Sequence, residues 1–368
     1  MHQNLKPLGS FLAVALSVAA CSEDSTVGPR GDEPALADIS CTIPTSEIFV
    51  GAFRDGIPAL TNPEMALPGA PATSTWQNSD RVVGIVLGDQ PVAVPLNIFW
   101  WHEIVNLELD GYSVAITHCP LTGSSLAFDR APQGGVEFGV SGLLFRNNLI
   151  MYDRTGEDES LWPQMALGAR CGPQQGTSLE MIPVIEMTYE GWRRVHPNTL
   201  VVTTNTGWDR DYESPTGYPY GNYDDPSNAQ LLFPIPEPLD RRYPPKERAL
   251  GVPSGTGGTV FPYSELARRG ELAAIPVGSG GDAYVVFWTD VREGAMAYRP
   301  FVGDQTLTFS VEDDRIVDDQ TGSVWNMSGI ATGGPLVGTR LDGVVEAFVA
   351  FWFSWPLFYP DMIPWSAS

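Results

Sequence analysis

The chain of 368 residues has little positive charge, with 21 lysine and arginine residues against 44 aspartate and glutamate residues. The formal net charge at pH 7 is −23. Proteins that bind nucleic acid neutralise phosphates with clustered basic side chains, so we expect no nucleic-acid partner. The same balance disfavours anionic membrane surfaces, whereas an acidic surface keeps a protein soluble.

Histidine and cysteine are equally scarce, with 4 of each. The sequence contains no Cys-x-x-Cys or His-x-x-x-His spacing, which excludes the metal sites and redox motifs that depend on those spacings. The apolar residues, by contrast, amount to 43% of the chain, which is enough for a substantial folded core.

The apolar run at residues 11–20 is too short to span a bilayer as a helix and ends directly before Cys21. Val18-Ala19-Ala20-Cys21 resembles a bacterial lipobox. The sequence therefore predicts a lipoprotein signal peptide at residues 1–21, with Cys21 as the lipid-modified mature N-terminus, and a flexible tether at 22–44. We expect an exported protein of the cell envelope, anchored to the membrane through Cys21. The alternative is an ordinary secretory signal with a chance cysteine.

Three cysteines remain after Cys21, and thiols outside the cytoplasm tend to oxidise. Cys41, Cys119 and Cys171 cannot all pair. If Cys119 has a chemical role, Cys41 and Cys171 are the natural disulfide.

Short β-branched segments dominate the rest of the chain. Residues 82–87 and 92–96 are predicted to form a hairpin, and 112–118 a strand that ends at Cys119. Residues 97–105 are predicted to be a short helix with Asn97 as its N-cap, and 189–196 a second short helix. The expected fold is α+β, mostly antiparallel β with a few short helices.

The chain also repeats itself. One spacing separates Leu161-Trp162 from Val324-Trp325 and also Trp192 from Trp355. This pattern predicts two tandem related modules packed together. The predicted parts are module 1 at residues 45–204, a Tyr-, Pro-, Gly- and Asp-rich connection at 205–244, and a degenerate module 2 at 245–365.

Module 1 contains His102, Glu103, His118 and Cys119, and the matching segments of module 2 contain neither histidine nor cysteine. His102 and Cys119 are therefore candidates for catalysis or for binding a transition metal, copper or zinc. An imidazole can activate a thiol as a nucleophile, and both groups are ligands for these metals. The alternative is a buried cysteine and a core histidine. His118 is expected to face away from Cys119 because side chains alternate along a strand.

Weaker candidates for substrate binding are Ser124, in a turn of small residues, and Arg146, Asn147 and Asn148, in a predicted hairpin turn. The Tyr-rich connection suggests calcium or glycan binding, or simply packing between the modules. A second hypothesis for function is therefore a non-catalytic lipoprotein that binds a small molecule, glycan, peptide or envelope partner.

Several segments together resemble the bacterial domain of unknown function 3179 family. They are Asp55-Gly56-Ile57-Pro58-Ala59-Leu60, His102-Glu103-Ile104-Val105-Asn106, Cys119-Pro120-Leu121, Phe138-Gly139-Val140-Ser141-Gly142-Leu143-Leu144, Met151-Tyr152-Asp153-Arg154 and Leu161-Trp162. The resemblance implies export but no established activity. Family members commonly have a second cysteine three residues after the first, where this chain has Thr122, and this departure argues against a dithiol mechanism or a two-thiolate metal site.

Overall fold

The computed structural model describes residues 40–156 and 158–367, all within one compact unit. The predicted signal peptide, Cys21 and most of the tether lie outside the described residues. Within these ranges, every helix is too short or too polar to cross a membrane.

The first half of the described chain consists mainly of strands. They are β1 (Ile48–Val50), β2 (Leu60–Thr61), β3 (Met65–Ala66), β4 (Arg81–Leu87), β5 (Gln90–Pro95), β6 (Ile104–Leu109), β7 (Tyr112–Cys119), β8 (Ser124–Asp129), β9 (Phe138–Phe145), β10 (Asn148–Asp153), β11 (Leu161–Pro163), β12 (Glu180–Ile182), β13 (Val184–Thr188) and β14 (Leu200–Val202). Its two α-helices are α1 (Leu96–His102) and α2 (Tyr189–Val195).

The second half has the same character. Its strands are β15 (Arg248–Ser254), β16 (Gly257–Pro262), β17 (Leu272–Val277), β18 (Tyr284–Thr289), β19 (Gly294–Tyr298), β20 (Phe301–Val302), β21 (Gln305–Thr306), β22 (Phe309–Glu312), β23 (Arg315–Asp318), β24 (Val324–Trp325), β25 (Ala331–Gly333), β26 (Phe348–Phe351) and β27 (Asp361–Pro364). Its α-helices are α3 (Tyr263–Ala267) and α4 (Trp355–Phe358).

The prediction of a mostly antiparallel β protein with a few short helices is confirmed. The largest sheet has nine strands, in the order β2-β6-β7-β8-β26-β15-β16-β27 with β12 also paired to β8. A five-stranded sheet has the order β13-β4-β5-β14-β3. Val349 of β26 pairs with Ser125 of β8, so the nine-stranded sheet joins the two halves of the chain.

Helix α1 differs from its prediction at both ends. It begins at Leu96 after Pro95, and the Asn97 side chain does not cap it but donates a hydrogen bond to the carbonyl of Tyr212 at 2.9 Å. The helix ends where Glu103 has φ +56°, which no helical residue adopts. The β-branched Ile104 and Val105, predicted as helix, instead begin β6.

Each half contains a hairpin flanked in the same way. Hairpin β4–β5 lies between antiparallel β13 and parallel β14, and hairpin β15–β16 lies between antiparallel β26 and parallel β27. In each hairpin a tryptophan ring packs directly against a glycine. A Cβ atom added to Gly84 would lie 2.3 Å from Trp192, and one added to Gly251 would lie 2.1 Å from Trp355.

A second pair of contacts also repeats. The indole Nε1 of Trp162 donates to the Asp153 carboxylate at 2.9 Å, and the indole Nε1 of Trp325 donates to the Asp318 carboxylate at 2.9 Å. Both tryptophans and both aspartates are buried. The tryptophans that match each other in sequence therefore make matching contacts.

The core consists of two apolar clusters. Phe99, Trp192 and Phe287 belong to one, and Trp162 and Trp355 belong to the other. All five side chains are almost fully buried, and burial of each large side chain stabilises the fold by about 1.5–3 kcal/mol.

Cys41 and Cys171 form a disulfide across 130 residues of sequence. It joins the start of the described chain to the segment after β11. A bridge of this kind typically stabilises a fold by about 2–4 kcal/mol. Cys119 is a free cysteine.

Candidate functional site

Strand β7 ends with His118 and Cys119, whose side chains point to opposite faces of the sheet. In the antiparallel register His118 lies opposite Ser125 and Cys119 opposite Ser124. The two faces have different chemical surroundings.

On the first face, His118 begins a buried chain of hydrogen bonds. Ser125 Oγ donates its single proton to Glu186 Oε2 at 2.6 Å, so it must accept from His118 Nδ1 at 2.9 Å. Nε2 of His118 has no hydrogen-bond partner within the described ranges. Burial lowers the pKa of His118 to about 4 although Glu186 opposes that shift, so the imidazole is neutral at pH 7.

Glu186 also accepts hydrogen bonds from two arginines. Nε of Arg81 and Nε of Arg248 donate to Glu186 Oε1 at 2.8 and 2.9 Å. Burial alone would raise the pKa of Glu186, but the two guanidinium groups outweigh it and lower the pKa to about 2. Glu186 is therefore an anion at any physiological pH.

The two arginines differ in what their terminal nitrogens contact. Those of Arg81 donate to the carboxylate and the carbonyl of Glu293 at 2.6 and 2.9 Å. Those of Arg248 have no hydrogen-bond partner among the residues that the structure describes. Arg248 thus presents two donor groups that the protein leaves unused.

A cavity of about 330 Å³ adjoins these arginines. Its wall comes from the start of β4, helix α1, the Tyr-rich connection and β15. The lining residues are Gln77, Ser79, Asp80, Arg81, Leu96, Asn97, Trp100, Ser214, Pro215, Asp224 and Arg248. Polar donors, polar acceptors and one indole therefore surround a single space.

On the opposite face, the thiol of Cys119 is fully buried and donates to the carbonyl of Asn147 at 3.6 Å. Burial raises the pKa of Cys119 to about 11, and the Glu103 carboxyl contributes in the same direction. Because the thiolate is the nucleophile and the metal ligand, a thiol in this environment is inert at neutral pH.

His102 has both ring nitrogens in use. Nδ1 donates to the carbonyl of Pro58 at 2.8 Å, which leaves Nε2 to accept from the hydroxyl of Tyr212 at 2.7 Å. Burial lowers the pKa of His102 to about 4. The structure shows no hydrogen bond between His102 and Cys119, and the described residues contain no group of three or more His, Cys, Asp or Glu side chains placed to hold a metal ion. His102 and Cys119 are therefore held by separate hydrogen bonds, His102 to Pro58 and Tyr212 and Cys119 to Asn147.

Two of the predicted substrate-binding residues belong to a buried polar network. Ser124 Oγ donates to Gln164 Oε1 at 2.5 Å, and Asn148 Nδ2 donates to the same oxygen at 2.8 Å and to Thr122 Oγ1 at 3.0 Å. All four side chains are fully buried. Thr122, at the position of the expected second cysteine, thus contributes to an internal network.

The other two candidates, Asn147 and Arg146, also make hydrogen bonds within the protein. The Asn147 amide exchanges hydrogen bonds with the backbone of Phe233, at 2.9 and 3.0 Å. Arg146 donates to the Glu47 carboxylate at 2.6 Å and to the carbonyl of Leu357. These side chains therefore connect the turn between β9 and β10 to the segment before β1, to helix α4 and to the Tyr-rich connection.

Sequence reasoning missed Arg81, Glu186 and Arg248. One signal for them was available, because Arg81 and Arg248 both open the first strand of a repeated hairpin, the strands that also contain Gly84 and Gly251. Extending the comparison of the modules to those hairpins would have paired the two arginines.

A family model described as "Protein of unknown function (DUF3179)" matches residues 54–362. No curated protein matches the sequence, and no solved structure matches it.

Proposed function

We propose that this chain, which belongs to the family described as protein of unknown function (DUF3179), is an exported binding lipoprotein whose ligand is a sugar acid. The ligand would occupy the cavity beside Arg81 and Arg248. Because the description of the family states no activity, the ligand is inferred from this cavity alone.

The observation that carries the proposal is the pair of unused terminal nitrogens on Arg248. A guanidinium group binds a carboxylate through two parallel hydrogen bonds. The bond from Arg248 Nε to Glu186 fixes the orientation of the planar group before a ligand arrives. Such a pre-formed fork in an otherwise acidic protein favours one small anion.

The remaining lining residues suit the rest of a sugar. Asp80 and Asp224 supply acceptors for hydroxyl groups, and Trp100 supplies an apolar ring against which a pyranose face can pack. Glycan-binding sites combine such features, and a carboxylate on the sugar would pair with Arg248.

The proposal also includes the predicted location and origin of the chain. A lipid-modified Cys21 and a tether at 22–44 would hold the folded part at the membrane of the cell envelope. We further propose that modules 45–204 and 245–365 arose by duplication, supported by the matching hairpins and the matching Trp–Asp contacts.

Thiolate chemistry, or copper or zinc chemistry, at His102 and Cys119 is not part of the proposal. The Cys119 thiol is fully buried, and Nε2 of His102 is engaged by Tyr212.

Isothermal titration with D-galacturonate and D-glucuronate, each against the neutral parent sugar, tests the proposal. We expect at least one acid to bind tenfold or more tightly than its neutral parent. Arg248→Lys keeps the charge but loses the fork, so we expect about a tenfold loss of affinity for the acid. Arg268→Gln is the matched control, because its side chain is 61% exposed and lies outside the cavity.

Trp100→Leu provides a second variant that leaves the arginines intact, and we expect it to weaken binding of the acid. Circular dichroism checks that each variant is folded. Absence of binding by either acid, or equal affinity for acid and neutral sugar, would contradict the proposal.

A further inference from the structure

A second candidate site lies around Glu103, on the face of β7 that carries Cys119. Glu103 has φ +56° and joins α1 to β6. Its side chain is 4% exposed, and its carboxyl group has no hydrogen-bond partner in the described part of the chain. Within that part of the chain, the protein therefore leaves the acceptor oxygens of this carboxyl unused.

The carboxyl borders a cavity of about 130 Å³, smaller than the one beside Arg248. Apart from Glu103 the side chains of its wall are apolar or aromatic. They include Ile57, Leu121, Val140, Leu144, Phe233 and Tyr220. The two cavities have no lining residue in common.

A single acidic group at an apolar cavity favours a ligand with one positive charge and a short apolar body. The charge would pair with the carboxylate, and the body would displace water from apolar walls. Tyr220 adds an aromatic face, which attracts cations. In the same cluster of tyrosines, Lys246 Nζ lies 3.8 Å from the ring centroid of Tyr223 and also donates to the carbonyls of Asn228 and Gln230.

From the unpartnered carboxyl of Glu103 and the apolar walls around it, we infer a binding site for a small primary alkylammonium ion. This site is independent of the sugar-acid site, because it uses none of the residues at Arg248. It requires no reaction, only association of the ammonium with the Glu103 carboxylate.

Protonation of Glu103 makes this binding depend on pH. Burial raises the pKa of Glu103 to about 8, so at pH 7 the ammonium must displace a proton. The titratable groups on which Glu103 acts electrostatically are Cys119 from β7 and Tyr220 from the connection. Burial raises the pKa of both, so neither ionises between pH 6 and 8. An alkylammonium resembles the lysine side chain, with a pKa of about 10.4, and stays charged.

The test is isothermal titration of the full chain with n-butylammonium and with 1-butanol, its uncharged counterpart. We expect the ammonium to bind at least tenfold more tightly than the alcohol at pH 8. Its affinity should fall by up to about tenfold per pH unit from pH 8 to pH 6. At pH 7, titrations in two buffers with different heats of ionisation should show the release of almost one proton.

Glu103→Gln keeps the shape of the side chain and removes its charge, so it should bind ammonium and alcohol alike. Glu312→Gln, at an exposed position on β22, is the matched control and should behave as the parent. Equal affinities of the parent for the two probes, no dependence on pH, or full ammonium affinity in Glu103→Gln would overturn the inference. The pH series on the parent decides the matter if Glu103→Gln does not fold.

Discussion

The two halves of the chain build the same hairpins and bury different polar groups. Arg81 begins β4 opposite Thr188, and Arg248 begins β15 opposite Phe351. Two residues earlier on the partner strands, the first half has Glu186 and the second has Val349. One carboxylate therefore accepts hydrogen bonds from two arginines at matching positions of two similar hairpins.

The strongest test of this difference is Glu186→Gln, which leaves two arginines without their shared anion. We expect a loss of about 3–5 kcal/mol in the free energy of unfolding, as when one partner of a buried ion pair is removed. Urea unfolding at pH 7 measures it. Glu293→Gln removes an acid whose side chain is 60% exposed and should cost less than about 1 kcal/mol.

The pH dependence of Glu186 has a definite sign. Its folded pKa of about 2 lies below the ordinary value of 4.5, so its contribution to stability is complete above pH 4.5 and is lost as the pH falls towards 2. If Glu186→Gln and the parent lost stability equally over that interval, the shared-anion interpretation would be wrong.

Glu103 gives the opposite pH dependence. Its folded pKa of about 8 lies above the ordinary value of 4.5, so its contribution lowers stability as the pH rises from 4.5 to 8. We expect Glu103→Gln to gain about 4 kcal/mol relative to the parent between pH 5 and 9. Urea unfolding at both pH values measures this gain, and Glu312→Gln should show none.

The repeated glycines test the feature that the halves share. Gly84→Ala and Gly251→Ala each place a methyl group too close to the ring atoms of a buried tryptophan. Each should lower the free energy of unfolding by about 1–3 kcal/mol. Gly281→Ala is the control, because its added Cβ meets no atom within 4 Å. Thermal unfolding compares the three variants. A large effect in only one hairpin would show that the halves pack differently despite their common strand order.

The smallest expected effects come from the repeated Trp–Asp contacts. Asp153→Asn and Asp318→Asn each replace a carboxylate that accepts an indole N–H at 2.9 Å. We expect about 1–2 kcal/mol of lost stability in each variant, since an asparagine amide has one acceptor oxygen where the carboxylate has two. Asp313→Asn, whose side chain is 91% exposed, should have no measurable effect. Unequal losses for the two buried aspartates would weaken the comparison.

Sequence patterns predicted hairpin β4–β5, strand β7 and helix α2, because the patterns that indicate strands and helices lie within one segment. The N-cap of α2 is Thr188, whose hydroxyl accepts from Gly191 N, and the helix ends at Val195, within one residue of its prediction. Patterns of this kind report burial on one face and are visible in a single segment.

The site could not be predicted in the same way. The left-handed backbone at Glu103 ends α1 early, and because this residue is not a glycine the sequence gives no sign of it. Tyr212, from 110 residues further along the chain, then binds His102. Arg248 reaches Glu186 from the other half. Contacts over such distances depend on the tertiary fold, which local patterns do not encode.

The disulfide between Cys41 and Cys171 has a mechanical consequence. Tension applied to the chain ahead of Cys41 is transmitted through the covalent disulfide directly to the segment after β11. Strand β1, which follows Cys41 and is held to β9 by hydrogen bonds, is therefore shielded from the load. A protein attached by its N-terminal end can thus be pulled without its first strand peeling from the sheet.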